Sequence, residues 1–209
     1  MAAAAITLTG CNSLTANSID TIRLAWNGKV NEISDSQVQQ VPGDSMLIRA
    51  GAAEALFVAP AGSSGCIDWW GIGEQVATCH GRISQIVGLE SDVIQPLAED
   101  DPFIRGLLHV TDGQQAFRSV DLPLTYQTGI SQVATYTVGP LEALTLFGYT
   151  AQYRRIDEQI WMPEIGYAAL NQYWVDPASG QVRRSLQHPI PGLPVFEVIT
   201  THKGSKDAK

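Results

Sequence analysis

Charge is scarce in this chain, and most of it is negative. Charged residues make up 16% of the 209 positions, and 13 Lys and Arg stand against 21 Asp and Glu, which gives a net charge of −8. Proteins that bind nucleic acid through its phosphates carry clustered positive charge. The composition gives little basis for such contacts, and we predict no nucleic-acid partner.

Long hydrophobic runs and catalytic signatures are also missing. After the first ten residues, no apolar run approaches the ~20 residues that a membrane helix needs. The sequence contains no Gly-x-Ser-x-Gly, no His-Glu-x-x-His, no phosphate-binding glycine loop and no dinucleotide fingerprint. The histidines lack metal-ligand spacing; they are His80, His109, His188 and His202. We predict no enzymatic activity, no cofactor and no metal.

An acidic run keeps one catalytic alternative open. Glu99-Asp100-Asp101 lies between Pro96 and Pro102, and glycoside hydrolysis uses a pair of carboxylates. Adjacent acids on a proline-flanked loop are more commonly solvated. A glycan-cleaving enzyme is therefore the weaker alternative function.

Cysteine is limited to three residues, and the first lies in a processing motif. Leu8-Thr-Gly-Cys11 is the pattern of a bacterial lipobox, in which the chain is cut before Cys11 and the cysteine is lipidated. Asn12 then favours the outer membrane. The ten residues before Cys11 are shorter than a complete secretory signal. Either the true start lies upstream, or Cys11 is an ordinary buried thiol after a leader.

The other two cysteines depend on the compartment. In an oxidising compartment Cys66 and Cys79 form a natural pair, and the bridge would contribute roughly 3 kcal/mol by closing a short loop. The alternative is two unpaired thiols on one hairpin.

Turn residues and β-branched residues predict a β fold. The chain has 19 Gly and 11 Pro, and short apolar stretches lie between turn signals. The clearest hairpin joins 173–176 to 181–187 through Pro177-Ala-Ser-Gly180. Short helices are predicted over 17–27 and after Ser34. We predict a mainly β fold, an antiparallel barrel-like or sandwich sheet with short N-terminal helices.

Two alternating runs predict further strands. Val120, Leu122, Leu124 and Tyr126 alternate as one buried face of a strand does, with Pro123 indicating an edge or a bulge. Phe147, Tyr149, Ala151 and Tyr153 alternate in the same way. The predicted organisation is a truncated signal, lipobox and flexible leader over 1–16, a single β domain over 17–203, and a disordered tail over 204–209.

A candidate binding surface lies beside the predicted bridge. Trp69 and Trp70 point to opposite faces if one strand runs through them, so one belongs to the core and the other can stack on a sugar ring or a partner. Arg82 offers a planar donor fork for an anionic group. The alternative is that both tryptophans pack inside and that Arg82 is a salt-bridged surface residue.

Four stretches together resemble a known family. They are Leu8-Thr-Gly-Cys11; Val41-Pro42 before Met46-Leu-Ile-Arg49; Trp69-Trp70 with His80-Gly-Arg82 and Val87-Gly-Leu89; and Tyr173-Trp-Val-Asp-Pro-Ala-Ser-Gly-Gln-Val-Arg183 with Gln187. In this order they are similar to the YjbF/GfcB (YmcC-type) lipoproteins of Gram-negative bacteria. The resemblance covers nearly the whole mature chain.

The resemblance implies a lipid-anchored outer-membrane protein that serves group 4 capsule or exopolysaccharide formation. It also implies a mainly β, barrel-like fold, with Cys11 as the lipidated residue and no enzymatic activity. We expect a non-catalytic, periplasm-facing accessory factor that binds polysaccharide-secretion proteins, polysaccharide or both, with membrane contact only through the lipid. The alternative is a β-barrel carrier of a lipid or lipid-linked sugar, with a cavity lined by Phe147, Tyr149 and Tyr153.

Overall fold

The computed structural model describes residues 33–201 apart from 42, 61–62, 72 and 89–90. The predicted helix over 17–27, Cys11, the leader and the tail lie outside the described residues. Within them, twelve strands form a closed barrel. None of the helices in this part of the chain has the length and apolar character needed to cross a bilayer.

The strands follow one another around the barrel in chain order. They are β1 Asp44–Ala50, β2 Ala53–Ala59, β3 Cys66–Trp70, β4 Gln75–Cys79, β5 Arg82–Val87, β6 Val93–Ile94, β7 Gln115–Leu122, β8 Gln127–Leu146, β9 Tyr149–Met162, β10 Tyr167–Val175, β11 Val182–Gln187 and β12 Phe196–Thr201. The helices are α1 Asp35–Gln40, α2 Pro102–Arg105 and the 3-10 turns η1 Leu107–His109, η2 Pro123–Thr125 and η3 Pro163–Ile165.

Each strand pairs with its neighbour in the chain, and β1 pairs with β12 to close the ring. All of these pairings are antiparallel; Ser45 of β1 lies opposite Thr201 of β12. Closure leaves no open edge in the ring, which removes the main aggregation hazard of a β-sheet. The predicted mainly β, antiparallel, barrel-like fold is confirmed, and the barrel replaces the sandwich.

The predicted short helix after Ser34 is also confirmed. Ser34 caps α1, because its side chain accepts a hydrogen bond from the Gln37 N–H while the Gln37 side chain accepts one from the Ser34 N–H. This reciprocal pair satisfies donors that the first helical turn leaves open. Val38 is the residue that α1 buries.

The predicted strand through Leu124 and Tyr126 is wrong. β7 ends at Leu122, and Pro123 begins η2 instead. Proline fixes φ and lacks the N–H that a sheet ladder needs, so the chain turns there. Tyr126 takes a left-handed conformation with φ 53°. Val120 and Leu122 are buried, whereas Leu124 and Tyr126 point into solvent.

The barrel interior is filled by large apolar side chains. Trp69, Phe57, Met46, Ile83 and Phe196 are all at most 1% exposed and belong to one continuous cluster. The connection from β6 to β7, which carries α2 and η1, adds Phe103 and Leu107 to the same cluster.

The β8–β9 hairpin continues past the barrel as an arm, residues 141–153, which pair with each other and with Arg154. The arm, including the turn at its tip, folds back over the outer wall. The Glu142 carboxylate accepts a hydrogen bond from the Trp174 indole at 2.7 Å, and Leu146 and Phe147 pack on an apolar cluster outside the barrel. That outer cluster consists of Ile33, Val38, Leu47, Leu56 and Ile199.

Candidate functional site

A group of charged and polar side chains lies inside the barrel, each at most 7% exposed. We call it the interior polar cluster. It draws on five strands and on the β6–β7 connection: Arg82, Gln95, Asp101, Arg118, Gln132, Tyr136, Glu158, Asn171 and Tyr173.

Arg118 is the centre of this cluster. Its Nε lies 2.6 Å from Asp101 Oδ2, and its Nη1 lies 2.7 Å from Glu158 Oε1. The guanidinium also donates to Gln132 Oε1 at 3.2 Å and to the Tyr136 hydroxyl. Burial alone would lower the pKa of Arg118, but the neighbouring carboxylates raise it well above its usual value. Arg118 is therefore a permanent cation that ties the connection to the barrel wall.

Glu158 accepts hydrogen bonds on both carboxylate oxygens. Oε1 accepts from Arg118 and from the Tyr136 hydroxyl at 2.9 Å, and Oε2 accepts from Asn171 Nδ2 at 2.8 Å and the Tyr173 hydroxyl at 2.9 Å. Burial would raise its pKa, but the two arginines and these hydrogen bonds outweigh burial and lower the pKa to about 2. Glu158 is thus a fixed anion at neutral pH and cannot supply a proton as a general acid does.

Arg82 completes the cluster with fewer partners. Its guanidinium donates to Gln132 Oε1 at 2.7 Å and to Gln95 Oε1 at 3.1 Å, and its Nε lies 3.9 Å from Glu158 Oε1. Burial and the positive charge of Arg118 lower the pKa of Arg82. Arg82 Nε and Gln132 Nε2 are buried without a hydrogen-bond partner among the described residues.

The four charges of the cluster cancel. Two arginines face two carboxylates, those of Asp101 and Glu158. Buried ions need such pairing because removing a charge from water is costly. Since the carboxylates are engaged by arginine and shielded from solvent, the cluster is suited to holding the barrel and its connection in one arrangement.

Phe103, in the β6–β7 connection, packs against the barrel wall. Asp101 caps α2 by accepting the Phe103 N–H at 3.0 Å. The Phe103 ring lies edge-on to Tyr173, with 4.9 Å between the ring centroids, and the Arg118 guanidinium lies 5.6 Å from its centroid. Pro102 and Phe103 of α2 are buried, whereas Ile104 and Arg105 are exposed, so α2 inserts the Phe103 ring into the core while its other side faces solvent.

The structure separates the three residues predicted as a binding surface. Trp69 points inward, is 0% exposed, and donates its indole N–H to Thr78 Oγ1 at 2.8 Å. Arg82 is 2% exposed and belongs to the interior polar cluster. Only Trp70 of the three lies at the surface, with 54% of its area exposed. The alternation of neighbouring side chains separates the two tryptophans, as expected for a strand.

The cysteines and the acidic run have separate positions. Cys66 and Cys79 face each other on β3 and β4 and are joined by a disulfide, whereas Cys11 lies outside the described residues. Of the acidic run, Asp101 is buried against Arg118, and Glu99 and Asp100 are exposed in a turn. The run therefore presents no pair of carboxylates facing each other across a groove. No group of three or more metal-binding side chains occurs within the described residues.

The aromatic residues predicted to line a carrier cavity are not inside the barrel. Phe147 lies at the tip of the arm and packs on the outer cluster, Tyr149 is 71% exposed, and Tyr153 is buried at the arm's base. They do not converge on a cavity, which removes the observation on which the carrier alternative depended.

An apolar row on the outside of the barrel was missed by the sequence reasoning. Phe117 pairs with Val133, Val133 with Trp161, and Trp161 with Ala168, so the four side chains lie side by side across β7, β8, β9 and β10. We call this set the outer row. Phe117 is 68% exposed and Trp161 is 45% exposed.

A pattern in the sequence could have revealed both the interior polar cluster and the outer row. Arg118 is in phase with the buried residues Ala116 and Val120, and Glu158 is in phase with Ile156 and Ile160. A charge in the buried phase of a strand indicates an ionic interior. The same phase turns Phe117 outward.

Three comparisons place the chain among known proteins. A family model described as "Group 4 capsule polysaccharide lipoprotein gfcB, YjbF" matches residues 19–200. The "Uncharacterized lipoprotein GfcB" of Escherichia coli (strain K12) is 24% identical over 196 residues, which cover 88% of this chain and 87% of that protein. The crystal structure of the hypothetical lipoprotein YmcC from Escherichia coli (K12) has a TM-score of 0.70 at 22% identity, covering 91% of this chain and 96% of that one.

Proposed function

Because the chain belongs to the YjbF family of group 4 capsule polysaccharide lipoproteins, we propose that it is a non-catalytic accessory factor of capsule or exopolysaccharide assembly or secretion. In this proposal Cys11 carries the lipid that anchors the protein in the outer membrane. The barrel faces the periplasm and acts by binding polysaccharide-secretion proteins, polysaccharide or both.

The observation that supports a binding role is that the charged side chains inside the barrel are paired with one another. Asp101 and Glu158 are buried and bonded to Arg118 at 2.6 and 2.7 Å, so these carboxylates serve the fold. Catalysis would require a group that reaches a bound substrate at hydrogen-bond distance. Recognition of partners on the outer surface is the role that this architecture favours.

The Cys66–Cys79 disulfide supports the periplasmic placement. Disulfides persist in the bacterial periplasm and are rare in the cytosol, where thiols are kept reduced. The bridge joins two neighbouring strands and is consistent with folding after export. It does not distinguish a lipid-anchored protein from a free periplasmic one. In the proposal, lipidation of Cys11 makes that distinction.

The test is a deletion in the native bacterium, complemented from the native locus with its upstream sequence. We expect the deletion to reduce polysaccharide at the cell surface, the wild-type gene to restore it, and Cys11→Ser to restore it poorly. Wild-type protein should fractionate with the outer membrane, and the C11S protein should be lost from that fraction. Ser18→Ala is the matched control, because it changes a residue shortly after Cys11 and leaves both the lipobox and the Cys66–Cys79 disulfide intact.

Two results would contradict the proposal. Unchanged surface polysaccharide after deletion would remove the capsule role, and outer-membrane fractionation of the C11S protein would remove the anchor. Crosslinking in intact cells followed by mass spectrometry then identifies the partners. Recovery of a polysaccharide-secretion protein with the wild-type chain, and its loss with C11S, is the expected result.

A further inference from the structure

We propose that the outer row, Phe117, Val133, Trp161 and Ala168, is a binding surface for a sugar polymer whose bound stretch is uncharged. The ligand class of this inference rests on the proposed function. The site itself rests on the geometry of β7 to β10, which no part of the proposed function requires.

The outer row is bare, whereas the outward-facing apolar side chains beside the arm are covered. Trp174, on the outer wall of β10, is 5% exposed because the Glu142 side chain of the arm and the Arg184 guanidinium lie against its ring. Leu47 and Leu56 are buried in the outer cluster beneath α1 and the arm. Phe117 and Trp161 have no such cover within the described residues and remain 68% and 45% exposed. Contiguous exposed apolar side chains on a folded protein commonly mark a binding site.

The shape of the row fits a linear ligand. Its four side chains come from four adjacent strands, so the row spans three strand spacings, or about 14 Å. It is one residue wide on β7, β8 and β9, and on β10 the exposed Leu170 extends it beside Gln159. A stable protein interface buries about 800 Å² on each partner, which demands a broad patch. A row of this length and width instead matches a short stretch of a sugar polymer.

The groups on both sides of the row match a sugar's hydroxyls. Gln115, Thr135 and Gln159 lie opposite one another on one side, and Ser119 lies opposite Ser131 on the other. Amides and hydroxyls donate and accept hydrogen bonds without carrying charge. None of these five side chains is ionisable, although the protein as a whole has a net charge of −8.

These groups retain hydrogen-bonding capacity for a ligand. Gln115 Nε2 donates to Thr135 Oγ1 at 3.4 Å, and Gln159 Nε2 donates to the Ala169 carbonyl at 3.1 Å. Each amide has a second N–H and a carbonyl oxygen beyond that bond. Glu164 lies at the serine side, where it accepts the Ser131 N–H at 3.2 Å. A negative group there disfavours an acidic sugar at that end of the row.

The two aromatic rings supply the apolar contacts. Phe117 and Trp161 are two strands apart, which places them about 10 Å from each other. The C–H faces of a pyranose ring stack on aromatic rings, and the spacing corresponds to alternate residues of a polymer. Aromatic stacking is worth about 1 kcal/mol per ring, so each ring should account for roughly fivefold in affinity.

The test is affinity electrophoresis of the full 209-residue chain in gels that contain purified Escherichia coli group 4 capsular polysaccharide or dextran. We expect at least one of these polymers to retard the wild-type protein. Phe117→Ala and Trp161→Ala should each weaken retention roughly fivefold, and the double variant roughly 25-fold if the rings act independently. Tyr126→Ala is the matched control, because Tyr126 is an exposed aromatic residue that lies outside the row, after η2; it should bind as the wild type does.

Several results would overturn the inference. They are no retention of the wild type by either polymer, unchanged retention of the double variant, and an equal loss in Tyr126→Ala. Urea unfolding of each variant separates a lost site from a lost fold. A wild-type dimer that the double variant abolishes, seen by ultracentrifugation, would assign the row to a second copy and also overturn it. A capsule defect on deletion together with no polymer binding would leave the proposed function intact while this site fails.

Discussion

Replacing Glu158 with Gln removes one charge from the interior polar cluster with almost no change in shape. Glu158 is 0% exposed and pairs with Arg118 at 2.7 Å, while Arg82 lies 3.9 Å away. In the variant, Asp101 alone would balance two buried arginines. Breaking a buried pair by removing one partner costs about 3–5 kcal/mol. The free energy of unfolding should therefore fall by about 4 kcal/mol.

That loss is large against the total stability of a domain, about 5–15 kcal/mol. For a protein of this size, 1 kcal/mol moves the melting temperature by about 2–4 °C, so E158Q should melt about 8–16 °C lower. The assay is urea unfolding followed by tryptophan fluorescence, with a lower midpoint at an unchanged slope. Glu197→Gln is the matched control, because Glu197 pairs with the partly exposed Arg49 and Arg184; it should cost under about 1 kcal/mol.

The same residue predicts a pH dependence. The pKa of Glu158 is lowered from 4.5 to about 2 in the folded protein, so Glu158 releases its proton more readily when folded. Its stabilisation is fully present above pH 4.5 and is lost as the pH falls towards 2, on the order of 3 kcal/mol in total. The free energy of unfolding of E158Q should therefore fall less than that of the wild type as the pH is lowered. A cost below about 1 kcal/mol for E158Q, or the same acid profile as wild type, would refute an ionised Glu158 in the barrel.

Two further predictions concern the chain's covalent and backbone constraints. Replacing Cys66 and Cys79 with Ala should lower the unfolding free energy by about 3 kcal/mol, because the disulfide closes a short loop; a urea midpoint that dithiothreitol leaves unchanged in the wild type would contradict this. Gly81→Ala should cost about 2–4 kcal/mol, because its added Cβ would lie 2.5 Å from Val182 Cβ at φ +90°. Gly113→Ala, with φ +78° and nothing within 4 Å, isolates the strain of positive φ and should cost about 1 kcal/mol; equal losses in the two variants would contradict the contact.

Local chemistry accounts for the parts that sequence reasoning predicted. The cap at Ser34 and the turn from Asp176 to Gly180 depend on residues within a few positions of one another. In that turn Asp176 accepts the Ala178 N–H at 2.9 Å, and the Gly180 N–H donates to the Asp176 carbonyl at 2.8 Å. Such hydrogen bonds form in almost any fold, so the sequence is sufficient to predict them.

The candidate site depends on contacts between residues that are far apart in the sequence, which no short stretch of sequence reveals. Arg82 was predicted either to hold an anionic group or to be a salt-bridged surface residue, yet it is buried and its partners Gln95 and Gln132 come from two other parts of the chain. The outer row needs two strand registers to bring Phe117, Val133 and Trp161 together. A single error in register would turn every one of these side chains to the other face.

The sequence by itself determined that this protein is built of antiparallel strands, where several of its tight turns lie, and to which family it is similar. Those properties follow from backbone preferences and from motifs that are contiguous in the chain. Only the tertiary structure decided that β1 closes on β12, that four ionised side chains neutralise one another inside, and that the arm covers one apolar wall while the outer row stays bare. The reason is that closure pairs Ser45 with Thr201. Which distant strands meet is set by packing of the whole chain, and that packing decides which charges are paired and which apolar side chains remain exposed.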